Sequence, residues 1–514
     1  MRLSELIAGV PVTKMFQTVY GSMVQTHDVE IHNVRYDSRT VTQSDVFVAI
    51  RGLKSDGHRY LQDVIRKKVK AVIVEDDTAL PDSLCMHEGV VKIVVSDTRK
   101  ALSRLSANYF RHPSKEMKVI GVTGTNGKTT TTHLIASVVS AANKKPGLIG
   151  TIEYRIGDDV IDATHTTPES YELHKLLREM AGAGCSHVVM EVSSHALEQH
   201  RVDDVRFSTA VFTNLTQDHI DYHDSPEAYL QAKRRLFLLV GESATVVTNA
   251  DSEHGDKIIE GTGAKIVRYG TKNYADIKAA SIRTSMKSTT FMINHNDVET
   301  EISSPLIGQF NVSNILAAYA AAYAEQFDVP AIKKGIEQLR GVRGRFETVV
   351  APQGWSAVID YSHTPDALEN VLNAIHKIKP EQGRVTTVFG CGGDRDRAKR
   401  PVMGTIAQRL SDRIIVSSDN PRTEDPESII DDIMEGIDTS TNVYREPDRR
   451  QAIELALSNA GRDDVILIAG KGHETYQVIG DTRIHFNDRE IVEEWIADRM
   501  PASTQRENNK PEGV

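Results

Sequence analysis

The residues best equipped to do chemistry fall in one stretch, Gly121 to Thr132, which reads GVTGTNGKTTTT. A glycine-rich turn leaves backbone N–H groups pointing at an anion, and a helix that begins at the turn adds the positive end of its dipole. Gly124, Thr125, Asn126 and Gly127 would form such a cradle, with Thr130 in the first turn of the helix. Lys128 would reach the outer phosphates of a nucleotide, and the Thr129 hydroxyl would sit on a magnesium ion. The elements needed to position that turn flank it. Met117 to Val122 is a short apolar run that predicts a buried strand, and Thr129 to Ala142 has apolar residues at helical spacing. One feature departs from the strict pattern: Val122 stands at the usual first glycine, with Gly121 and Gly124 on either side. The alternative is a glycine-rich turn with a chance Gly-Lys-Thr.

Two more donors extend the set. Glu191 and His219, with Thr129 and phosphate oxygens, could complete a magnesium shell. Taken singly, they read as a surface glutamate and a capping or core histidine. In an open parallel sheet, ligands sit beyond the carboxyl ends of the strands. Six predicted strand ends carry polar or glycine-rich clusters: Glu191 with VSSHAL, Asn214 with LTQDHIDYH, Asp360-Tyr361-Ser362-His363, GCGGDRDRAKRP, SSDNPRTEDP and GKGHE. This pattern predicts two sheets that face a shared cleft.

A chain of 514 residues exceeds one ordinary core and suggests about three domains. The predicted class is α/β. Residues 1–110 read as a small mixed α/β domain, with strands at Val29 to Tyr36, Val46 to Ile50, Ala71 to Glu75 and Val91 to Ser96, and a helix at Thr98 to Phe110. After the polar linker RHPSKE, residues 111–338 read as a central parallel-sheet, ATPase-like domain built on the phosphate loop. An antiparallel patch is expected at Ala279 to Ser304, before an alanine-rich helix, NVSNILAAYAAAYAEQF. Residues 339–500 read as a Rossmann-like α/β domain and 501–514 as a disordered polar tail. The formal net charge of −10 excludes a broad basic surface for nucleic acid. Cys85, Cys185 and Cys391 are too scattered for a disulfide framework or a zinc site and suit a reducing cytosol. MRLSELIAGV is too short and polar for a secretory signal, and no apolar run reaches the length of a membrane span. The expectation is a cytoplasmic monomer acting on soluble small molecules, without a nucleic-acid or membrane partner.

A larger set of motifs carries a specific resemblance. GVTGTNGKTT, HTTPE (His165 to Glu169), MEVSSHAL (Met190 to Leu197), TNLTQDHIDYH (Thr213 to His223) and YLQAKRRLF (Tyr229 to Phe237) are followed in order by GQFNVSN, GRFE, DYSHTPDAL, GCGGDRDRAKRP, DNPR and AGKGHE. Together they resemble the Mur ligases, ATP-dependent amino-acid-adding enzymes of peptidoglycan precursor synthesis. The likeness spans almost the whole chain outside the tail. It is nearest to members that add meso-diaminopimelate to a UDP-muramoyl dipeptide.

The resemblance implies that ATP phosphorylates a γ-carboxylate and that the incoming amine attacks the acyl phosphate. A carboxylate is a poor electrophile; phosphorylation supplies the leaving group, and Lys128 with magnesium would offset the gathered negative charge. By the same likeness, Lys233 of YLQAK would be carbamylated and hold a second magnesium, although a lysine within KRR is otherwise a solvated charge. Asn311, Asp360, Tyr361 and His363 would meet the adenine and ribose, and Arg345 would approach the phosphates. Ser38, Thr166, Thr167, Ser193, Gln199 and Arg201 would hold the UDP-dipeptide; Thr167 before Pro168 and Glu169 also reads as a helix start. The diaminopimelate pocket would comprise Arg395, the DNPR residues Asp419, Asn420, Pro421 and Arg422, then Gly470 and Glu474. A guanidinium binds a carboxylate through two parallel hydrogen bonds, which suits Arg422 to the group that separates diaminopimelate from lysine. The alternative for Arg422 is a surface arginine paired with Glu424 or Asp425. Rival readings of the chain are a folate polyglutamate ligase, a nucleotide-driven switch or transport ATPase, and an inactive scaffold.

Overall fold

The strand Lys118–Thr123 lies in the middle of a sheet, flanked by His187–Glu191 and Thr209–Phe212 in parallel register. Val119, Ile120 and Val122 are fully buried there, as a strand covered on both faces requires. In this computed structural model, residues 1–16, 29–52, 55–216, 218, 220–272, 274–438 and 442–499 are described. The expected α/β class with three domains holds, each domain being built on its own main sheet.

The central sheet has eleven strands. It runs parallel from Ile277–Thr284 through Lys265–Gly270, Thr245–Asn249, Thr209–Phe212, Lys118–Thr123 and His187–Glu191 to Pro146–Ile149. Antiparallel strands extend both edges. The patch expected at Ala279 to Ser304 is present as one of these extensions, in Ile277–Thr284, Thr289–His295 and Val298–Ser304. The helix Lys128–Ala141 leaves the phosphate loop and packs beside Gln309–Ala324 and Val329–Gln338. Close approach sets this packing: a Cβ on Gly335 would run into the backbone of Val138. The loop is thus anchored at one end by a mid-sheet strand and at the other by a clamped helix.

The first sheet orders Val12–Phe16, Val91–Val95, Ala71–Val74, Val46–Val48 and Val34–Arg35. The strand expected at Val29 to Tyr36 shrinks to Val34–Arg35. The backbone before it is engaged elsewhere: Leu3 N–H donates to Val29 O and Ile31 N–H to Met1 O. Val12–Phe16, which lacks a clean alternation, was not expected as a strand. Tyr36 donates to Glu172 at 2.8 Å and Tyr171 to Asn33 at 2.5 Å, tying this sheet to the helix Ser170–Gly182 of the central domain.

The C-terminal sheet orders Glu347–Val350, Ser356–Asp360, Val465–Ala469, Val385–Phe389, Arg413–Val416 and Val443–Arg445, parallel except for its first strand. Arg449 and Asp488 form an ion pair of zero exposure behind it. Arg449 also donates to Ala469 O at 3.0 Å and Ser418 O at 3.5 Å, so one guanidinium grips two strand ends. Removing either partner of such a pair leaves a buried charge uncompensated, at a cost of about 3–5 kcal/mol. The last helix is Asp488–Asp498, and the expected tail 501–514 lies outside the described residues. Among the described residues, no helix is long and apolar enough to cross a membrane.

Candidate active site

Two cavities meet at the phosphate loop. The larger, about 600 Å³, is walled by Asn126, Gly127 and Thr130 of the loop, by Gln309, Phe310 and Asn314, and by Arg345, Asp360 and Asp366 of the C-terminal domain. The smaller, about 170 Å³, is lined by Thr125 to Thr130, Thr166, Glu191, Ser193, Asp218, Lys233, Arg345 and His363. Gly127 opens the helix in a left-handed conformation, φ +84°, and Asn314 Oδ1 stands where a Cβ would be.

Lys128 and Lys233 both donate to the Gly124 carbonyl, each at 2.9 Å. Lys128 donates also to Thr125 O at 2.7 Å. Lys233 comes from the helix Pro226–Leu239 and is 1% exposed, with its ammonium over the Tyr229 ring. Burial, and then the positive charge of Lys128, push the Lys233 pKa well below the ordinary lysine value, against the pull of Asp218. Burial lowers that of Lys128 too, while Glu191 and Asp218 oppose the shift.

Glu191, at the end of its strand, is fully buried. It accepts from the Thr129 hydroxyl at 3.1 Å, the Thr151 N–H at 2.8 Å and the Thr151 hydroxyl at 3.0 Å. Thr129 in turn accepts from Arg345 at 3.0 Å. Thr129 and Glu191 are adjacent hard oxygen donors, the chemistry magnesium prefers. Among the described residues, no three His, Cys, Asp or Glu side chains group as a ready metal site. His219, the fourth expected ligand, lies outside the described residues.

Thr166, Thr167, Ser193, Gln199 and Arg201 do come together. Thr166 meets Thr151 at 3.0 Å, and Thr167 donates to Glu191 O at 2.8 Å. Arg201 donates to Thr167 O and Gln199 Oε1. The helix-start reading of Thr167 does not hold: Glu169 is the N-cap, because the Thr167 hydroxyl is committed to Glu191 and Ser193. Arg99 of the first domain pairs with Glu169 at 3.1 Å, a link the sequence did not suggest. Ser38 sits in the turn after Asp37 and lines neither cavity.

Of the residues expected at the nucleotide, Asn311 turns inward, donating to Ile307 O and accepting from Asn314; Asn314 is the one that faces the larger cavity. Asp360 lines the larger cavity and accepts the Phe346 N–H at 2.7 Å, its pKa raised by burial. His363 faces the smaller cavity instead, and burial lowers its pKa. Asp366 bonds Asn126 of the loop at 2.9 Å and Thr216 at 3.3 Å, so the C-terminal domain touches the phosphate loop directly. Neither Asp218 nor Asp366 was singled out from sequence, although both lie inside quoted motifs.

Arg422, Asn420, Asp419, Gly470 and Glu474 form a third group, on the C-terminal strand ends and outside both cavities. Arg422 has φ +53° and donates to Gly393 O at 2.8 Å; a Cβ on Gly392 would lie 2.8 Å from its Nη1. It does not pair with Glu424 or Asp425: Glu424 takes the buried Arg400, and Asp425 caps the helix Pro426–Met434. The exposed Arg395 lies beside the same Gly392. The hairpin of Tyr476–Ile479 and Thr482–His485 clamps this loop through Arg422 N–H to Val478 O and Gln477 to Asp419 O. The group connects to the smaller cavity through Tyr361, whose ring lies 4.6 Å from the Arg345 guanidinium and 4.9 Å, tilted, from His473, whose pKa burial pushes down to about 3. Lys471, beside His473, is fully buried and was overlooked because it lies between two glycines of a quoted motif.

A phosphate loop completed by a second α/β domain, with buried lysines and a buried carboxylate beside it, defines a nucleotide-dependent group-transfer enzyme. The family model of the Mur ligase middle domain matches residues 122–322, that of the Mur ligase glutamate ligase domain matches 344–472, and that of the Mur ligase family catalytic domain matches 30–110. The chain is 43% identical over 501 residues to the UDP-N-acetylmuramoyl-L-alanyl-D-glutamate--2,6-diaminopimelate ligase of Clostridioides difficile (strain 630), covering 97% of this chain and 100% of that protein. A solved structure bearing the same enzyme name aligns with a TM-score of 0.66 at 33% identity, over 93% of this chain and 97% of that one. The fold is shared with the MurF ligase of Thermotoga maritima in complex with ADP, at a TM-score of 0.61 and 17% identity, over 92% and 100% of the two chains. The chain belongs to the Mur ligase family of ATP-dependent ligases.

Gly124 has φ +150°, and a Cβ there would collide with Thr213 Oγ1 and approach Asn214 O to 2.9 Å. Gly124→Ala is therefore expected to weaken binding of a non-hydrolysable ATP analogue by at least about tenfold. Isothermal titration reads the affinity, with circular dichroism as the check on folding.

Proposed function

We propose that this chain joins meso-diaminopimelate to the γ-carboxylate of the D-glutamyl residue of UDP-N-acetylmuramoyl-L-alanyl-D-glutamate, converting ATP to ADP and phosphate. The observation that carries the reading is the meeting of Lys128, Lys233 and Glu191 around the smaller cavity with Arg345, which lines both cavities. The larger cavity suits a nucleoside, the smaller a phosphorylated acid, and the loop between them the phosphates. Full-length likeness to ligases of that name and the order of the motifs support the same substrates.

In this reaction the γ-carboxylate attacks the terminal phosphorus of ATP, ADP leaves, and the acyl phosphate accepts the amine. Loss of phosphate from the tetrahedral intermediate then gives the amide. Lys128 and Arg345 stabilise charge on the transferring group, and the backbone of Gly124 to Gly127 holds the remaining phosphates. Thr129 and Glu191, with His219, would hold magnesium, which supplies further positive charge beside the phosphates. Burial and the charge of Lys128 make Lys233 give up its proton more readily than an ordinary lysine; reaction of the neutral amine with carbon dioxide would form a carbamate with loss of one proton, suited to a second magnesium ion. Thr166, Thr167, Ser193, Gln199 and Arg201 position the dipeptide, and Ser38 with the first domain takes the uridine end. Arg422 and Arg395 meet the distal carboxylate of diaminopimelate, framed by Asp419, Asn420, Pro421 and Gly470. The distal ammonium falls to Glu474. A cytoplasmic monomer is part of the reading; the buried free thiols Cys85, Cys185 and Cys391 fit a reducing compartment.

Phosphate release in the presence of ATP and the UDP-dipeptide should depend on meso-diaminopimelate; release that ignores both substrates would instead mark a switch or transport ATPase. Arg422→Ala should lose diaminopimelate-dependent activity by at least about 10²-fold while ATP binding survives. Unchanged discrimination between diaminopimelate and lysine would remove Arg422 from the pocket. Lys233→Ala should be inactive and partly restored by short carboxylic acids standing in for the carbamate, as read in the same assay.

A further inference from the structure

In the proposed reaction Glu474 meets the distal ammonium of the amino acid, yet the chain already pairs it. Lys471, with no exposed side-chain surface, donates to Glu474 Oε2 at 2.9 Å and to Asn420 Oδ1 at 3.2 Å. Asn420 Nδ2 donates to the same Glu474 oxygen at 2.8 Å. The Tyr476 ring lies 5.6 Å from the Lys471 ammonium, and the Val478 N–H also donates to Asn420 Oδ1 at 2.9 Å. One buried cation therefore fastens DNPR to AGKGHE and, with Asn420, engages Oε2 of the carboxylate assigned to the substrate.

We propose that Lys471 is a specificity-determining residue: its fixed ammonium satisfies Glu474, so that the pocket selects for a distal carboxylate and against a bare distal ammonium. This rests on the proposed function. Lys471 is the cation in direct contact with Glu474, Arg422 and Arg395 lie beside Gly392, and Asp394, Asp419, Arg483 and the Arg449–Asp488 pair stand around them. Diaminopimelate ends in a carboxylate and an ammonium, with no net charge. Lysine ends in an ammonium alone. It would bring a second cation beside Lys471 and leave Arg422 without its anion, an arrangement penalised in a desolvated site. The substrate ammonium, by contrast, adds little at a carboxylate that already holds two internal donors. Arg422 supplies attraction for the right substrate and Lys471 supplies repulsion of the wrong one.

The test compares three acceptors on the wild-type enzyme: meso-diaminopimelate, 2-aminopimelate, which lacks only the distal ammonium, and lysine, which lacks only the distal carboxylate. Phosphate release with ATP and the UDP-dipeptide, checked by mass of the product, gives kcat/KM for each. Loss of the carboxylate should cost at least about tenfold more than loss of the ammonium. In Lys471→Met, the preference for diaminopimelate over lysine should shrink by at least about tenfold, and in Lys471→Arg it should stay within about threefold of wild type. A merely structural lysine would lower both substrates together and leave the ratio unchanged, which would overturn the proposal. Equal penalties for 2-aminopimelate and lysine in the wild type would overturn it as well, and that comparison does not depend on any variant folding. If the wild type shows no dependence on diaminopimelate, the failure is that of the proposed function, and this inference falls with it.

Discussion

The Gly124 carbonyl accepts from two buried lysine side chains, and the site is arranged around that crowding. One carbonyl oxygen carries only a partial charge, too little to balance the positive charge of Lys128 away from water. Glu191 and Asp218 offset part of it from across the smaller cavity. What remains favours an anion, and the geometry admits one beside the loop. The carbonyl can serve this purpose because its residue is a glycine at φ +150°, pressed against Thr213 and Asn214 on the neighbouring strand end. Backbone conformation, the crowding of adjacent strands and the electrostatics of the reacting group are one constraint seen at three scales.

The clamped helix Lys128–Ala141 transmits this constraint to the core. Its inner face is held by alanine-rich Gln309–Ala324 and by the glycine contact between Val329–Gln338 and Val138. Small residues bring helices close and leave few alternative packings. The C-terminal domain then adds Arg345 at Thr129 and Asp366 at Asn126, so two sheets share the walls of one site.

The parallel strands were legible in sequence because fully buried strands are near-continuous apolar runs, as Val465–Ala469 illustrates. Lys128, Glu191 and Lys233 were legible because strand ends and motif order point to them. Val12–Phe16 was not, since an edge strand buries little and shows no clear periodicity. Asn311 was read in place of Asn314 for a geometric reason: the two are a helical turn apart, and only the packing of that helix decides which one faces the cavity. Arg449 could not be read as a support for the strand ends at Ser418 and Ala469. Its partner Asp488 is 39 residues away, and side-chain pairing over that span leaves no local pattern.

The Arg449–Asp488 pair also bears on how the chain comes into being. Ribosomes deliver a polypeptide from its amino end, and domains fold as units during synthesis. The strand, loop and helix that cradle phosphate are complete long before the segment Asp488–Asp498 emerges. The carbonyls of Ser418 and Ala469, by contrast, gain their shared guanidinium in its neutralised form only once Asp488 arrives. A chain cut short before Asp488 thus carries the strand, loop and helix of the central domain, while Arg449 behind the C-terminal sheet stands without its counter-ion.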